Sequence, residues 1–205
     1  MKVAVVGGTG DFGLALARRL VAAGDDVVVG SRDAGRAAAK GAEVGAAGAA
    51  NADAVRDVEL VVLAVNADAA LDTARSLADA IGETPTLSVA SALRFSKSGV
   101  RPREGRSLAE ETAALLAAPV AAGLHSLAAA TLAAGPAEGD ALVCGDDAAA
   151  KQVALELAGK VVMGRALDAG PLESARALEG MTAVIVNLNR RYKGHAGLRV
   201  TGLPG

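Results

Sequence analysis

Val3-Ala4-Val5-Val6-Gly7-Gly8-Thr9-Gly10-Asp11-Phe12-Gly13 joins an apolar run, a glycine loop and the first residues of an alanine-rich helix. Gly8, Gly10 and Gly13 fit G-x-G-x-x-G behind a strand and at a helix start, the context in which the pattern marks a dinucleotide loop. The spacing divides the work. Gly8 permits a tight turn, Gly10 lets the backbone approach a pyrophosphate, and Gly13 lets the helix pack closely on the strand. Free N–H groups and the positive end of the helix dipole then face the anion. Asp11 stands close to that anion, so its side chain is expected to point away or to serve the first turn. An ordinary glycine turn is the bland alternative, and the flanking strand and helix weigh against it.

The second strand, Asp26-Val27-Val28-Val29-Gly30, follows a helix expected from about Asp11 to Ala23. A site for NAD places Asp or Glu near the end of this strand, on the ribose 2′-OH. Here the chain continues Ser31-Arg32, with Arg36 one helical turn later. A carboxylate would repel a 2′-phosphate, whereas a hydroxyl and guanidinium groups pair with it. Asp33 is expected in the first turn of the next helix instead. The dinucleotide implied is NADP.

The chain has 205 residues and a formal charge of −2. That length can bury a good core in one large or two small domains. The charge gives no electrostatic case for nucleic acid or an anionic membrane. Cys144, the single cysteine, excludes an internal disulfide and a cysteine-rich zinc site; it is expected as a small buried residue at a strand end. No signal peptide is visible and no stretch approaches the roughly 20 apolar residues of a membrane span, so a cytoplasmic protein is expected. Aromatic residues are 1% of the chain, too few for an aromatic cage or a base-stacking platform.

Strand and helix signals alternate as in a Rossmann-like doubly wound parallel sheet, an α/β fold, with a small C-terminal α/β region. After a helix from about Ala34, an Ala/Gly-rich stretch runs to Asn51 and a short helix ends near Arg56. Leu60–Val65 reads as a buried strand. A helix at Asp68–Ala80 and a strand at Pro85–Ala90 follow. Phe95–Gly105 reads as a basic loop, then a helix at Leu108–Ala117. Further strands are expected at Pro119–Leu124, Ala141–Cys144 and Val161–Met163, with a helix at Ala148–Leu157. The final helix, from about Glu173 to Tyr192, is apolar nearly all round, which implies burial and suggests a homodimer. Gly135-Pro136 marks the boundary between residues 1–136, a nucleotide-binding domain, and residues 137–205.

Several reductase chemistries are excluded by residue content. A Tyr-x-x-x-Lys base is absent, since the only tyrosine, Tyr192, is followed directly by Lys193. One cysteine is too few for a zinc alcohol dehydrogenase, and no room remains for a long helical second domain. Of two histidines, His125 ends a strand at the edge where ligands gather, as a ligand contact, a proton donor or a structural group. His195 lies in the tail. No catalytic acid–base pair emerges and no metal site is expected, so hydride transfer alone is the task implied.

Beyond the first two segments, the chain carries Val143-Cys144-Gly145-Asp146-Asp147, Leu167-Asp168-Ala169-Gly170-Pro171-Leu172 and Arg190-Arg191-Tyr192-Lys193-Gly194-His195-Ala196-Gly197. With these it resembles the coenzyme F420-dependent NADP oxidoreductases along essentially its full length. The resemblance implies direct hydride passage between nicotinamide C4 and deazaflavin C5, with the protein supplying orientation. It implies that Thr9, Gly10, Asp11, Phe12, Ser31, Arg32 and Arg36 hold NADP, beside Gly8 and Gly13. Val65 with Asn66, Ser91 to Leu93, and His125 to Ala129 with Leu127 among them, would frame the two rings. Thr182, Ala196 and Gly197 would help form the deazaflavin pocket, with residues 137–205 completing it. Asn66-Ala67 stands where members of the family can carry Pro and an aromatic, and Gly180 where a hydroxyl residue can occur. Ser91-Ala92-Leu93 lacks a proline often found there. An NADPH-dependent reductase of another acceptor (a flavin, a metal chelate or an imine) and a non-catalytic NADPH sensor therefore stand as alternatives.

Overall fold

Apolar residues dominate the inner strands, and the pleat sends alternate side chains to opposite faces. Val3, Val5, Leu60, Val62, Leu87, Ala121 and Val143 join one apolar cluster, and Ala4, Val6, Val61, Leu63, Ala122 and Cys144 join another. Both clusters need cover, which is why the sheet is wrapped by helices on both faces. Each large side chain withdrawn from water contributes about 1.5–3 kcal/mol.

The computed structural model describes residues 1–203. In chain order the elements are β1 (Lys2–Val6), α1 (Asp11–Ala22), β2 (Asp26–Ser31), α2 (Ala34–Ala42), β3 (Ala47–Ala50), α3 (Asn51–Ala54), β4 (Leu60–Leu63), α4 (Ala67–Ile81) and β5 (Thr86–Ser88). Then come β6 (Leu93–Ser96), β7 (Gly99–Pro102), α5 (Leu108–Ala113), β8 (Val120–Gly123), α6 (Ala129–Ala134), β9 (Ala141–Gly145), α7 (Ala148–Val161), β10 (Ala166–Asp168), a 3₁₀ turn (Leu172–Ser174) and α8 (Ala175–Tyr192). The main sheet runs β10-β9-β8-β5-β4-β1-β2-β3. From β3 to β8 every neighbour is parallel; β9 is antiparallel to β8, and β10 is parallel to β9. The doubly wound expectation holds. The C-terminal segment adds β9 and β10 to the same sheet, and α7 contributes Ala154, Leu157, Ala158 and Val161 to the cluster under β1.

Parallel pairing brings the ends of β1, β2, β4, β5 and β8 to one edge of the sheet, where ligands bind in this fold. Helix signals in this region follow local chemistry. Asp147 caps α7 by accepting from the Ala150 N–H at 2.8 Å. Ser107 and Glu110 form a reciprocal capping box on α5.

Four expectations need correction. The Ala/Gly-rich stretch before Asn51, given no element above, ends in an edge strand at Ala47–Ala50, which pairs with Val28–Ser31 of β2 although its sequence has little strand propensity of its own. Phe95–Gly105 is not a plain loop: most of it belongs to the β6–β7 hairpin. Asn187 of α8 pairs with it like a strand, its Oδ1 accepting from Val100 N–H and its Nδ2 donating to the Val100 carbonyl, both at 2.8 Å. The strand expected at Val161–Met163 lies at Ala166–Asp168, because the apolar stripe of α7 continues to Val161. Finally, α8 buries one face only: Leu178, Glu179, Ala183 and Ile185 turn inward, while Val184, Leu188 and Tyr192 are exposed.

Candidate functional site

The turn after β1 divides its glycine duties differently from the motif arithmetic. Gly7 takes the left-handed conformation, with φ of +77°, and Gly8 instead answers a packing demand. A Cβ on Gly8 would stand 2.7 Å from the Val5 carbonyl, and one on Gly13 would stand 2.7 Å from the Gly7 carbonyl. Helix α1 thus presses on the turn. Gly10 is its N-cap, and no side chain caps it. The first N–H groups of α1 therefore face outward without partners from side chains, the arrangement that accepts an anion. Asp11 sits exposed in the first turn, as expected.

Around this helix end lies a cleft of about 240 Å³ lined by Gly7, Thr9, Gly10, Ser31, Arg32, Arg36 and Asn51, with Val65 and Asn66 at its far side. The acid that follows Arg32 is committed to its own helix. Asp33 caps α2, its carboxylate accepting from the Arg36 N–H at 2.9 Å.

Val65 and Asn66 also line a second cleft of about 240 Å³, so the two adjoin. Its other walls are Phe12, Ser91, Leu93, His125, Leu127 and Thr182. Thr182 on α8 ties the walls together. Its hydroxyl donates to the His125 carbonyl at 2.8 Å and lies 2.7 Å from Ser91 Oγ. Because the threonine proton is used on that carbonyl, Ser91 is the donor between the two hydroxyls.

The His125 imidazole is buried, and neither ring nitrogen has a hydrogen-bond partner among the described residues. Burial pulls its pKa down to about 4, with the Ala90 backbone opposing more weakly. The ring is neutral near pH 7 and offers one donor and one acceptor. Just before it, Leu124 has φ of +65°, a conformation that costs a branched residue about 1–2 kcal/mol. Strain of this kind persists only where its surroundings enforce it.

Leu127 in turn adjoins a third cleft, of about 580 Å³, which contains Ser126, Ala128, Thr131, Met163, His195, Ala196 and Gly197. The tail is held there by Asp140, which is buried between the strands and the tail. Its carboxylate accepts from the N–H groups of Arg165 and Val200, each at 2.8 Å, and these hold its pKa below the ordinary carboxylate range. Ala196 N–H also donates to Asn189 Oδ1 at 2.6 Å.

The structure therefore gathers most of the expected site residues on one sheet edge, in three adjoining clefts. Gly8 and Gly13 lie beneath the turn, shaping it from inside, and Ala129 begins α6 beside the third cleft. Asn51, Leu124, Asp140 and Glu179 carry no sequence signal that marks them as site residues. Glu179 is buried and accepts from Ala109 N–H at 3.3 Å and, at a long 3.5 Å, from Ala92 N–H in the segment between Ser91 and Leu93. A strand-end position would have drawn attention to Asn51, had β3 been recognised. Cys144 is buried and its thiol is pushed up to about 12 by that burial, so it is no nucleophile.

The residues present fit a dinucleotide next to a second ring. The uncapped α1 terminus suits phosphates, and the buried His125 stands in the wall of the second cleft. Among the described residues no helix is long and apolar enough to cross a membrane.

A family profile described as NADP oxidoreductase coenzyme F420-dependent matches residues 2–92. The F420-dependent NADP reductase of Methanothermobacter thermautotrophicus is 38% identical, covering 100% of this chain and 96% of its own. That of Methanocaldococcus jannaschii is 32% identical over 99% of both. A solved structure from Arthrobacter sp. FB24 superposes with a TM-score of 0.83 at 26% identity, covering 99% of this chain and 100% of that one. A pyrroline carboxylate reductase from Plasmodium falciparum, solved with NADP bound, shares the fold at 12% identity and a TM-score of 0.65, over 94% of this chain and 64% of that one. Relatives of this identity, matched end to end, decide the matter: the chain belongs to the family of coenzyme F420-dependent NADP oxidoreductases.

Proposed function

We propose that this protein transfers a hydride between NADPH and coenzyme F420, directly from nicotinamide C4 to deazaflavin C5 or in reverse. The observation that carries the reading is the continuity of the two clefts through Val65 and Asn66, one end built for phosphates and the other for a ring. The printed names of the full-length relatives support the same acceptor.

In this reading the α1 N-terminus and Thr9 hold the pyrophosphate, while Ser31, Arg32 and Arg36 hold the 2′-phosphate. Phe12, Val65, Leu93 and Leu127 exclude water around the rings, which strengthens every polar contact inside. His125 stays neutral in the wall of the ring cleft. Thr182 fixes His125 and Ser91 at a set separation. Residues 1–136 hold NADP, and residues 137–205, as a small C-terminal domain, complete the F420 pocket with Ala196 and Gly197. No side chain in the clefts need act as acid or base on the transferred hydrogen, because the cofactors carry the chemistry.

Mixing the protein with NADPH and oxidised F420 and following the deazaflavin absorbance tests the reading; no bleaching would sink it. A second reading, reduction of a flavin, metal chelate or imine, is favoured by Asn66-Ala67, with Asn66 on the wall shared by the clefts and Ala67 on the second. An acceptor screen separates the two. A cytoplasmic homodimer is part of the proposal. Val184, Leu188 and Tyr192 form an exposed apolar stripe on α8, with Phe95 exposed on the hairpin, and a monomer by sedimentation would refute the dimer.

A further inference from the structure

We propose that Asn51 is a further specificity-determining residue of the nucleotide cleft, donating from its side-chain amide to the 2′-phosphate of NADPH. The inference rests on the NADP reading above. Ala50, the last residue of β3, pairs with Ser31, so Asn51 emerges beside Arg32 at the same edge of the sheet. Its side chain lies across Gly30, where an added Cβ would stand 2.9 Å from Asn51 Oδ1. Any side chain at position 30 would push the amide away, which gives this glycine a local reason.

Oδ1 is buried without a hydrogen-bond partner among the described residues. With the carbonyl end turned into the protein, the amide nitrogen is the end left to the cleft that Asn51 lines. A polar group aimed this way gains little until a ligand pairs with it. Its neighbours share one chemistry. Ser31 Oγ accepts from the Asp33 N–H at 3.3 Å, which leaves its own proton to donate. Arg32 and Arg36 are exposed and form no ion pair among the described residues. The Asp33 carboxylate, next to Arg32 in the chain, is spent on capping α2. A cluster made mainly of donors and cations suits a phosphate monoester, whose oxygens accept, better than a free ribose hydroxyl.

Titration calorimetry with NADPH, NADH, adenosine 2′,5′-bisphosphate and 5′-AMP tests this without any F420. Asn51→Asp keeps the shape over Gly30 but replaces a donor with a negative charge. It is expected to weaken NADPH and the bisphosphate at least about tenfold, with NADH and 5′-AMP within about twofold. Asn51→Ala, which removes the donor and adds no charge, is expected to weaken the same two ligands about three- to tenfold. Melting temperatures of both variants identify any that fail to fold, and the alanine variant then carries the test. Equal weakening of all four ligands, or of none, would overturn the role of Asn51. Wild-type protein that binds NADPH no better than NADH would overturn the NADP reading itself.

Discussion

Thr182 on α8 donates its hydroxyl proton to the backbone carbonyl of His125 at the end of β8, across 2.8 Å. That bond joins the last helix to the strand end that lines the ring cleft, and the Ser91 contact extends it beyond the end of β5. Thr182→Val keeps the shape and deletes both bonds, leaving a carbonyl without its donor. We expect kcat/KM for the deazaflavin to fall about tenfold, since stranding such a group costs about 1–3 kcal/mol. The NADPH dissociation constant should stay within about twofold. Equal losses for both ligands in steady-state kinetics would contradict this division.

Arg32 borders the phosphate cleft with its charge uncommitted. Arg32→Ala should weaken NADPH at least about tenfold more than NADH, the size of a charge-assisted contact. Fluorescence titration of both dinucleotides checks it, and the same loss for each would show that Arg32 does not meet the 2′-phosphate.

Glu179 gives stability a defined pH dependence. Burial raises its pKa from 4.5 to about 7, against weaker opposing contributions from the Ala109, Ala92 and Leu108 backbone and from Arg103. The folded protein therefore holds this proton more tightly than the unfolded chain. The associated stability is complete below about pH 4.5 and is lost as pH rises to about 7, a change of about 3 kcal/mol. Glu179→Gln cannot ionise, so its melting temperature should fall less between about pH 5 and pH 8 than that of wild type. Parallel melting curves for the two proteins would refute the assignment.

Asp140 pins the tail through the Val200 N–H, and the Leu198 carbonyl accepts from Asp140 N–H at 2.7 Å. Asp140→Ala should speed amide exchange from Ala196 to Val200 at least about tenfold while leaving β1 and β4 protected. It should also raise KM for the deazaflavin and leave that for NADPH unchanged. An unaltered exchange rate in the tail would show that other contacts hold it.

The β1–α1–β2 unit was legible because valine runs, glycine spacing and Ser31-Arg32 each carry a local physical demand. β3 was not, because Ala-Gly-Ala-Ala becomes a strand only by pairing with β2. The hairpin was hidden for a similar reason: Asn187, 87 residues away from Val100 in the chain, supplies the pairing that defines it. The face of α8 that is left exposed is decided by where the hairpin and the sheet meet the helix, and composition cannot say that. Within the site, the glycine loop and the strand-end His125 could be read directly. Asn51, Leu124, Asp140 and Glu179 could not, since each gains its role from a backbone group brought near by the fold.

The central claim is direct transfer between the two adjoining clefts. It is tested by supplying NADPH deuterated at the transferring C4 position, with oxidised F420, and locating the label by NMR. The account predicts deazaflavin bleaching with the deuterium at C5 of the reduced product. Bleaching with no label at C5, or no bleaching at all, would contradict it.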